Sequence, residues 1–373
     1  MVVKAPIQDG SGYSTMARNM LLRLSKSNKF NIRVESYMGS SVQAELDQET
    51  STLLNSMINN KTVHNEEAVM FQVSIGAQMR PDCKWNIGYS VFETDHIPFS
   101  WIPPLNKMDA VCAPCSQNAK AFADSGVTVP IHVVPHGVDS SVMNEDVEPF
   151  KMFADKRNFL FMGTPQYRKG IDLAIGTYLN AFGDSNDTRL ICKVYLEASH
   201  HEAELNIVKN MIKDTRAKLG KSKGEIVVIP HFISAKDLMR LYKSVGMLLF
   251  PSRGEGWGFA GSEAAACGVP IIATNWGGPA DYLNNDIAYM INYKLDYVQN
   301  MQFNPQFMLA QMEGHKWAEP DKNHLHGLMM EAYSSPLEAK AKGLRAAKHM
   351  RNNFSWDLAG DKLIKVIENV VNK

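Results

Sequence analysis

The feature that most constrains this chain is a rhythm. Short apolar runs of strand length alternate with helical patterns, and the whole succession occurs twice. In the first half the runs are Met1–Pro6, Ile32–Tyr37, Val69–Ile75, Asn86–Phe92, Ala110–Ala113 and Ile131–Val134. In the second half they are Phe159–Met162, Leu190–Leu196, Ile226–Ile229, Met247–Phe250, Ile271–Ala273 and Ala288–Ile291. Alternation of this kind builds parallel sheets with helices packed on both faces, so two doubly wound α/β domains are expected. A length of 373 residues accommodates two such domains. Between the halves, Asp139 to Arg157 is polar and acidic, with Pro149 inside it, and reads as the linker. The expected domains are therefore 1–148 and 149–356. Beyond them, Leu358, Leu363, Val366, Ile367 and Val370 recur at helical spacing after a capping Ser355. This predicts a last helix over 357–373, packed back on the first domain.

Several function classes are excluded early. Lys plus Arg and Asp plus Glu both total 39, so the basic excess of a nucleic-acid binder is missing. No apolar run approaches the ~18 residues of a membrane span. Met1 to Gly12 lacks the basic and apolar regions of a secretory leader, which points to a cytoplasmic protein. Five cysteines do not make a disulfide framework. Cys112-Ala-Pro-Cys115 has the spacing of a zinc half-site, but no second pair of this kind exists, so a structural role is expected and no metal.

Three strand–glycine turn–helix constellations carry the candidate chemistry. In the first, a buried strand ends at Pro251, a loop with Gly254, Gly256 and Gly258 follows, and a helix runs to about Cys267 before Gly268 and Pro270. Glycines let backbone approach a ligand closely, and the helix start offers unpaired amides to an anion such as a pyrophosphate. Glu255 and Glu263 frame this loop, and carboxylates accept hydrogen bonds from sugar diols. In the second, Phe159–Met162 leads through Gly163 to Arg168 and Lys169, just ahead of a helix starting near Gly170. Both cations suit phosphate oxygens. In the third, Gly10, Ser11 and Gly12 follow the first strand, with Met16, Ala17, Met20, Leu21 and Leu24 on one helical face behind them. Glu35 lies ~20 residues on, as a dinucleotide fingerprint asks, although Thr15 replaces its third glycine.

With these residues in place, the chain resembles the family 4 retaining glycosyltransferases of the GT-B fold. Pro251-Ser-Arg-Gly-Glu255-Gly-Trp-Gly-Phe through Glu263 and on to Thr274, with Gly277-Gly278, resembles that family's E-x7-E signature. Gly163…Arg168-Lys169-Gly170 is similar to its phosphate-binding turn, and Val133 to Asp139 to its interdomain segment. Asn86 through Trp101, which includes Glu93, Asp95 and His96, is similar to a first-domain motif of one branch, and Phe354-Ser-Trp356 to a C-terminal signature. The resemblance implies two Rossmann-like domains facing a central cleft, the second holding the nucleotide sugar and the first shaping the acceptor site.

The same resemblance implies roles. Glu255 holds donor-sugar hydroxyls, Glu263 the ribose diol, and Arg168 and Lys169 neutralise the diphosphate at the Gly163 turn. Gly256, Trp257, Gly258 and Phe259 bring backbone to the sugar or phosphate. Gly10, Ser11 and Gly12 give phosphates or acceptor close approach, and Pro230, His231 and Phe232 flank the base. Glu93 or His96 stands where many members carry a histidine near the reacting sugar. Thr164 stands where many have an arginine. The expected activity moves a hexose, such as mannose or glucose, from a GDP- or UDP-linked donor to a glycan, glycoprotein or glycolipid hydroxyl. Anomeric configuration is retained, and the cations stand in for a metal. Three rival readings are a sugar-nucleotide epimerase on the same architecture, an NAD(P)-dependent oxidoreductase resting on the Gly10 loop, and a catalytically silent sugar-binding protein. His200, His201, His324 and His326 carry no metal-ligand pattern, and Trp317–Asp321 reads as a loop into a capped helix.

Overall fold

The structure is a computed structural model that describes residues 1–37, 44–139, 142–143, 147–196, 200–299 and 312–372. The chain divides into two compact units: Met1–Gly137 with Phe354–Lys373, and Val138–Asn353. The expected boundary after residue 148 lies beyond this division. The polar stretch is held to the second unit from Glu148 onward: Arg240 Nε donates to the Glu148 carbonyl at 3.4 Å, Phe150 N donates to Ser244 Oγ at 2.7 Å, Arg240 lies over the Phe150 ring at 4.1 Å, and Phe153 is buried. The end of the polar stretch is thereby fastened to the second unit, and part of it lies outside the described residues.

The first unit runs β1 (Val2–Pro6), α1 (Gly12–Lys26), β2 (Arg33–Tyr37), α2 (Gln48–Ile58), β3 (Val69–Val73), β4 (Trp85–Tyr89), α3 (Ile102–Leu105), β5 (Ala110–Ala113), α4 (Ser116–Asp124) and β6 (Ile131–Val133). The six strands form one sheet in the order β2-β1-β3-β4-β5-β6, with every pairing parallel. Cys112 is sealed inside β5, and Cys115 caps α4, its sulfur accepting from Asn118 N at 3.4 Å. Burial pushes the Cys112 thiol up to about 12, so it stays protonated and inert.

The second unit runs β7 (Arg157–Gly163), α5 (Ile171–Phe182), β8 (Thr188–Val194), α6 (His201–Leu219), β9 (Glu225–Ile229), α7 (Ala235–Lys243), β10 (Met247–Phe250), α8 (Phe259–Ala266), β11 (Ile271–Thr274), α9 (Gly278–Tyr282), β12 (Tyr289–Ile291), β13 (Tyr293–Tyr297), β14 (Lys316–Pro320), α10 (Lys322–Ser334) and α11 (Pro336–Asn353). Its main sheet has the order β12-β11-β10-β7-β8-β9, again all parallel. One core lies between this sheet and α5, with Phe159, Phe161, Ile175, Tyr178, Leu190 and Leu249 at its centre. The last helix, α12 (Trp356–Val371), starts at Ser355, whose side chain accepts from Leu358 N. It belongs to the first unit and lies on α1, where Arg23 pairs with Asp357 at 3.3 Å and Asp361 at 2.5 Å. No described helix is long and apolar enough to cross a membrane.

The sequence reading of Trp317–Asp321 as a loop needs correction. Lys316–Pro320 is a strand, β14, paired antiparallel with β13, and Asp321 then caps α10 by accepting from Asn323 N and His324 N. This hairpin supplies part of a buried charge cluster. Arg253, just past β10, has no exposed surface. Its guanidinium has five N–H donors, and all five are used. Nε and Nη2 donate to Glu319 of β14 at 2.6 and 3.0 Å, while Nη1 and Nη2 donate to Asp172 of α5, each at 2.9 Å. Nη1 also donates to the carbonyl of Tyr167 at 2.6 Å, and the Tyr167 ring lies 3.4 Å from the guanidinium carbon. Burial alone would depress its pKa, but Asp172 and Glu319 more than reverse this, so Arg253 stays charged.

Arg253→Met should therefore leave two carboxylates without a counter-charge and cost about 3–5 kcal/mol in denaturant unfolding. Arg253→Lys should fall well short of rescue, because an ammonium has only three donors and no planar fork. Full stability in the lysine variant would show that charge alone suffices.

Candidate active site

The second sheet changes direction between β7 and β10: β8 and β9 lie to one side of β7, and β10 to β12 to the other. Ligands of doubly wound sheets bind at the carboxyl edge beside such a switch point. Both loops that leave this point carry predicted residues. After β7, the chain passes Gly163 and makes a short 3-10 turn over Tyr167–Lys169. After β10 comes the glycine-rich loop that starts at Pro251. Backbone stitches the two together: Arg253 N donates to the Arg168 carbonyl at 2.7 Å, and the Arg168 side chain donates to the Gly254 carbonyl at 2.6 Å. Gly170 makes this approach possible. Its φ is 74°, and a Cβ there would stand 2.1 Å from the Pro251 carbonyl oxygen.

Glu255 is the centre of this stitch. It is 5% exposed, and Lys169 Nζ donates to both its oxygens at 2.7 and 2.9 Å. Arg168 Nη1 lies 3.9 Å from the nearer of them. A carboxylate so far from water needs such compensation. Its backbone is held as well, because Gly278 N donates to the Glu255 carbonyl at 2.9 Å. A Cβ on Gly277, where φ is 70°, would stand 2.4 Å from that oxygen. Gly256 is buried beside it, and Trp257 packs at 4.9 Å from Tyr282 and donates to Ser262 Oγ at 3.2 Å. α8 then starts at Phe259 from a left-handed Gly258, with no side chain capping it.

Glu263 lies one turn into α8. The Tyr242 hydroxyl donates to it at 3.1 Å. Burial pushes its carboxyl up to about 7, and the tyrosine bond offsets only part of that rise. Pro230, His231 and Phe232 follow β9 at the same carboxyl edge, the last two exposed. Thr164, in the turn after Gly163, has a buried hydroxyl with no hydrogen-bond partner among the described residues.

The first unit gathers its own predicted residues. Ser11 caps α1 by accepting from Ser14 N, and its amide donates to Asp9 at 2.8 Å. Neither Gly10 nor Gly12 has a positive φ. Tyr13 links this turn to the exit of β4: its hydroxyl donates to the Val91 carbonyl at 3.2 Å and accepts from Val91 N at 3.1 Å. Burial and then the Glu93 charge raise the Tyr13 pKa, which brings Glu93 into the neighbourhood of the Gly10 turn. His96 is half exposed and lies 3.2 Å from Asp95.

Sequence reasoning missed Arg253, Asp172, Glu319 and Tyr242 as parts of this arrangement. Arg253 stood inside the quoted motif, but its partners lie far off in sequence. A cavity of about 570 Å³ lined by Phe150, Phe159, Val245, Met247, Val269 and Tyr333 lies at the opposite, amino edge of the second sheet. It contains none of the predicted site residues. Among the described residues no cluster of three His, Cys, Asp or Glu side chains could hold a metal ion.

Two outcomes are expected. Lys169→Met should lower stability by about 1–3 kcal/mol by stranding Glu255, and adding Glu255→Gln should recover much of that loss, read as coupling in a double-mutant cycle. Simple additivity would mean that the pair is not energetically linked. Glu263 has a native pKa of about 7 against 4.5 when unfolded. The native state thus holds a proton that the unfolded chain has lost between these values. Stability should fall as pH rises across this window, by up to about 3 kcal/mol, and level off above it. Glu263→Gln should remove that slope from unfolding curves measured between pH 4.5 and 7.5.

Comparison with known proteins adds family and fold. Residues 115–363 match the model described as family 4 glycosyltransferase in conflict systems. A probable sucrose-phosphate synthase of Thermosipho melanesiensis is 27% identical over 160 residues, 42% of this chain and 34% of that protein. The GDP-mannose-dependent monoacylated alpha-(1-6)-phosphatidylinositol monomannoside mannosyltransferase of Corynebacterium glutamicum is 22% identical over 179 residues, 46% of this chain and 40% of that protein. These matches span less than half the length of either relative. The solved sucrose-phosphate synthase of Thermosynechococcus elongatus superposes with a TM-score of 0.70 at 12% identity, covering 100% of this chain and 98% of that one. That likeness shows the GT-B fold, two Rossmann-like domains each built on a parallel sheet. With its matching region spanning about two thirds of its length, the chain belongs to the family 4 glycosyltransferases, in the branch described as those of conflict systems.

Proposed function

We propose that this protein transfers a hexose from a nucleotide-diphosphate sugar to a hydroxyl of a glycan or glycoconjugate, with retention of configuration and without a metal. One observation carries the reading: a buried carboxylate, two cations and an uncapped helix start converge at the switch point of the second sheet. The diphosphate would lie against Arg168, Lys169 and the first amides of α8, where helix dipole and cations favour an anion. The unpartnered Thr164 hydroxyl faces the same need for a polar ligand. Glu263 would accept from the ribose diol, and Glu255 from hydroxyls of the transferred sugar.

The chemistry follows from these charges. The bond between the anomeric carbon and the diphosphate oxygen breaks, and negative charge grows on the leaving group. Lys169 is already drawn to this spot by Glu255, so it stabilises that charge without first having to be brought in. The acceptor hydroxyl forms the new bond to the anomeric carbon with retention, and its proton passes to the departing phosphate oxygen. The proposed donors are a GDP-linked mannose or a UDP-linked glucose, and the mannosyltransferase relative, which is GDP-mannose-dependent by name, supports the first.

The test is a thermal-unfolding panel of GDP, UDP, ADP, their sugar conjugates and NAD(P), with EDTA present. A ligand at 100 times its dissociation constant adds about 2.7 kcal/mol of stability. Stabilisation by a nucleoside diphosphate and its sugar conjugate is expected. Stabilisation by NAD(P) alone would transfer the case to an oxidoreductase. With the donor named, Glu255→Gln should lower kcat at least about tenfold to a hundredfold, as loss of hydrogen bonds to a charged group does. Unchanged turnover would remove Glu255 from the sugar site.

A further inference from the structure

Lys193 is a charged residue that the proposed reaction does not use. It has no exposed surface and stands in β8 opposite Met162 of β7 and Ile229 of β9. Arg189 lies on the same face of the strand and is also buried, but it is paired with Asp155 at 3.0 Å and Glu225 at 2.8 Å. Lys193 has no such partner among the described residues. Its ammonium donates to the Val194 carbonyl at 3.2 Å and otherwise lies 3.9 Å from the centre of the Tyr195 ring. Burial lowers its pKa to about 8, so it is still mostly protonated at neutral pH. A buried ammonium held by one carbonyl and one aromatic face is costly as packing alone.

Tyr195 gives the arrangement a purpose. Tyr195 is 36% exposed while Lys193 is fully covered, so solvent reaches Tyr195 but not the lysine against its ring. The Tyr195 hydroxyl lies 3.5 Å from Met162 Sδ. The Tyr242 hydroxyl reaches the same sulfur at 3.4 Å and Glu263 at 3.1 Å. Tyr195 is therefore one sulfur atom removed from the tyrosine that holds the proposed ribose carboxylate. A nucleobase is attached to the ribose directly and must lie beside it. A flat aromatic surface at that spot suits stacking, which is worth a sizeable factor per base. A cation on one face draws electron density through the ring. A base stacked on this ring is then favoured when it is large and electron-rich over small and electron-poor.

We propose that Tyr195, backed by Lys193, is the nucleobase platform of the donor site and selects a purine nucleoside diphosphate over a uridine one. The proposal rests on the nucleotide reading of Glu263 above. Tyr195 would touch the base, and Lys193 is a positioning residue acting through it.

The experiment is calorimetric titration of the full chain with GDP, ADP and UDP, for the wild type, Tyr195→Leu, Lys193→Met and Lys193→Arg. The wild type should bind at least one purine diphosphate about tenfold more tightly than UDP. Tyr195→Leu should reduce purine affinity about tenfold or more and UDP affinity less. Lys193→Met should narrow the purine-to-uridine ratio, and Lys193→Arg should restore it. Because Tyr195 is partly exposed, its leucine variant decides the matter even if Lys193→Met does not fold. UDP binding as tight as GDP and ADP in the wild type overturns the platform, as does a Tyr195→Leu protein that binds all three unchanged or loses all three equally. If no nucleoside diphosphate binds the wild type, the nucleotide reading of the site fails and takes the platform with it.

Discussion

The second unit depends on Arg253. This guanidinium sits where four pieces of chain meet: the strand exit it belongs to, the turn before Lys169, the start of α5 at Asp172, and the β14 strand at Glu319. Burying a guanidinium against two partly exposed carboxylates is unfavourable unless each of its hydrogen-bonding positions is filled, and here all five donors are used. The result is a rigid joint directly beneath the loop that presents Glu255. Ala318 N also donates to the Arg253 carbonyl at 3.0 Å, so the hairpin is tied to the backbone of the motif as well as to its side chain. A lysine could supply the charge but not the geometry, which is why this position asks for arginine.

Above that joint is a second charge group of a different kind. Lys169 and Glu255 pair closely, yet the lysine side chain is 21% exposed, so a ligand can reach it. Arg168 is anchored to a carbonyl and stands 3.9 Å from the carboxylate. The lower cluster has every donor of its buried guanidinium used and is structural, while the upper one is reached by solvent at the lysine. This division explains how a site can hold strong charges in place without an anion and still receive one.

Much of the fold was legible in the sequence because apolar strands in a parallel sheet are buried on both sides and read as continuous runs. Met247–Phe250 and Ala110–Ala113 coincide with the expected segments, and most other strands shift by one to three residues at their ends. The β13–β14 hairpin was not legible. Tyr293, Lys294, Leu295 and Tyr297 are all exposed, so no apolar face marks β13. The two units divide at Val138, ahead of the expected 148, because a polar segment reads as a linker in sequence even where its backbone, as at Glu148, docks on a helix of the second unit. In the candidate site, the glycine loop and the spacing of Glu255 and Glu263 were visible as local pattern. The partners of Arg253 were not, since Asp172 and Glu319 lie on opposite sides of it in sequence and only the folded sheet brings them together.

Glu263 and Lys193 show what burial does when pairing is partial. Each occupies the carboxyl edge of the second sheet, and burial shifts each toward its neutral form: the carboxyl rises to about 7, the ammonium falls to about 8. Arg189 is buried nearby with two carboxylates and has its pKa raised instead, first by its bond to Glu225 and then by Asp155. The fold therefore has the means to neutralise a buried charge on β8 and uses it at the amino end of the strand, away from the edge where loops gather. At the carboxyl end it leaves Lys193 to one carbonyl and an aromatic ring, and Glu263 nearby to a single tyrosine hydroxyl. Stability alone favours an apolar residue at such a position. A polar ligand that arrives with its own donors and acceptors gives the incomplete pairing at that edge a physical reason.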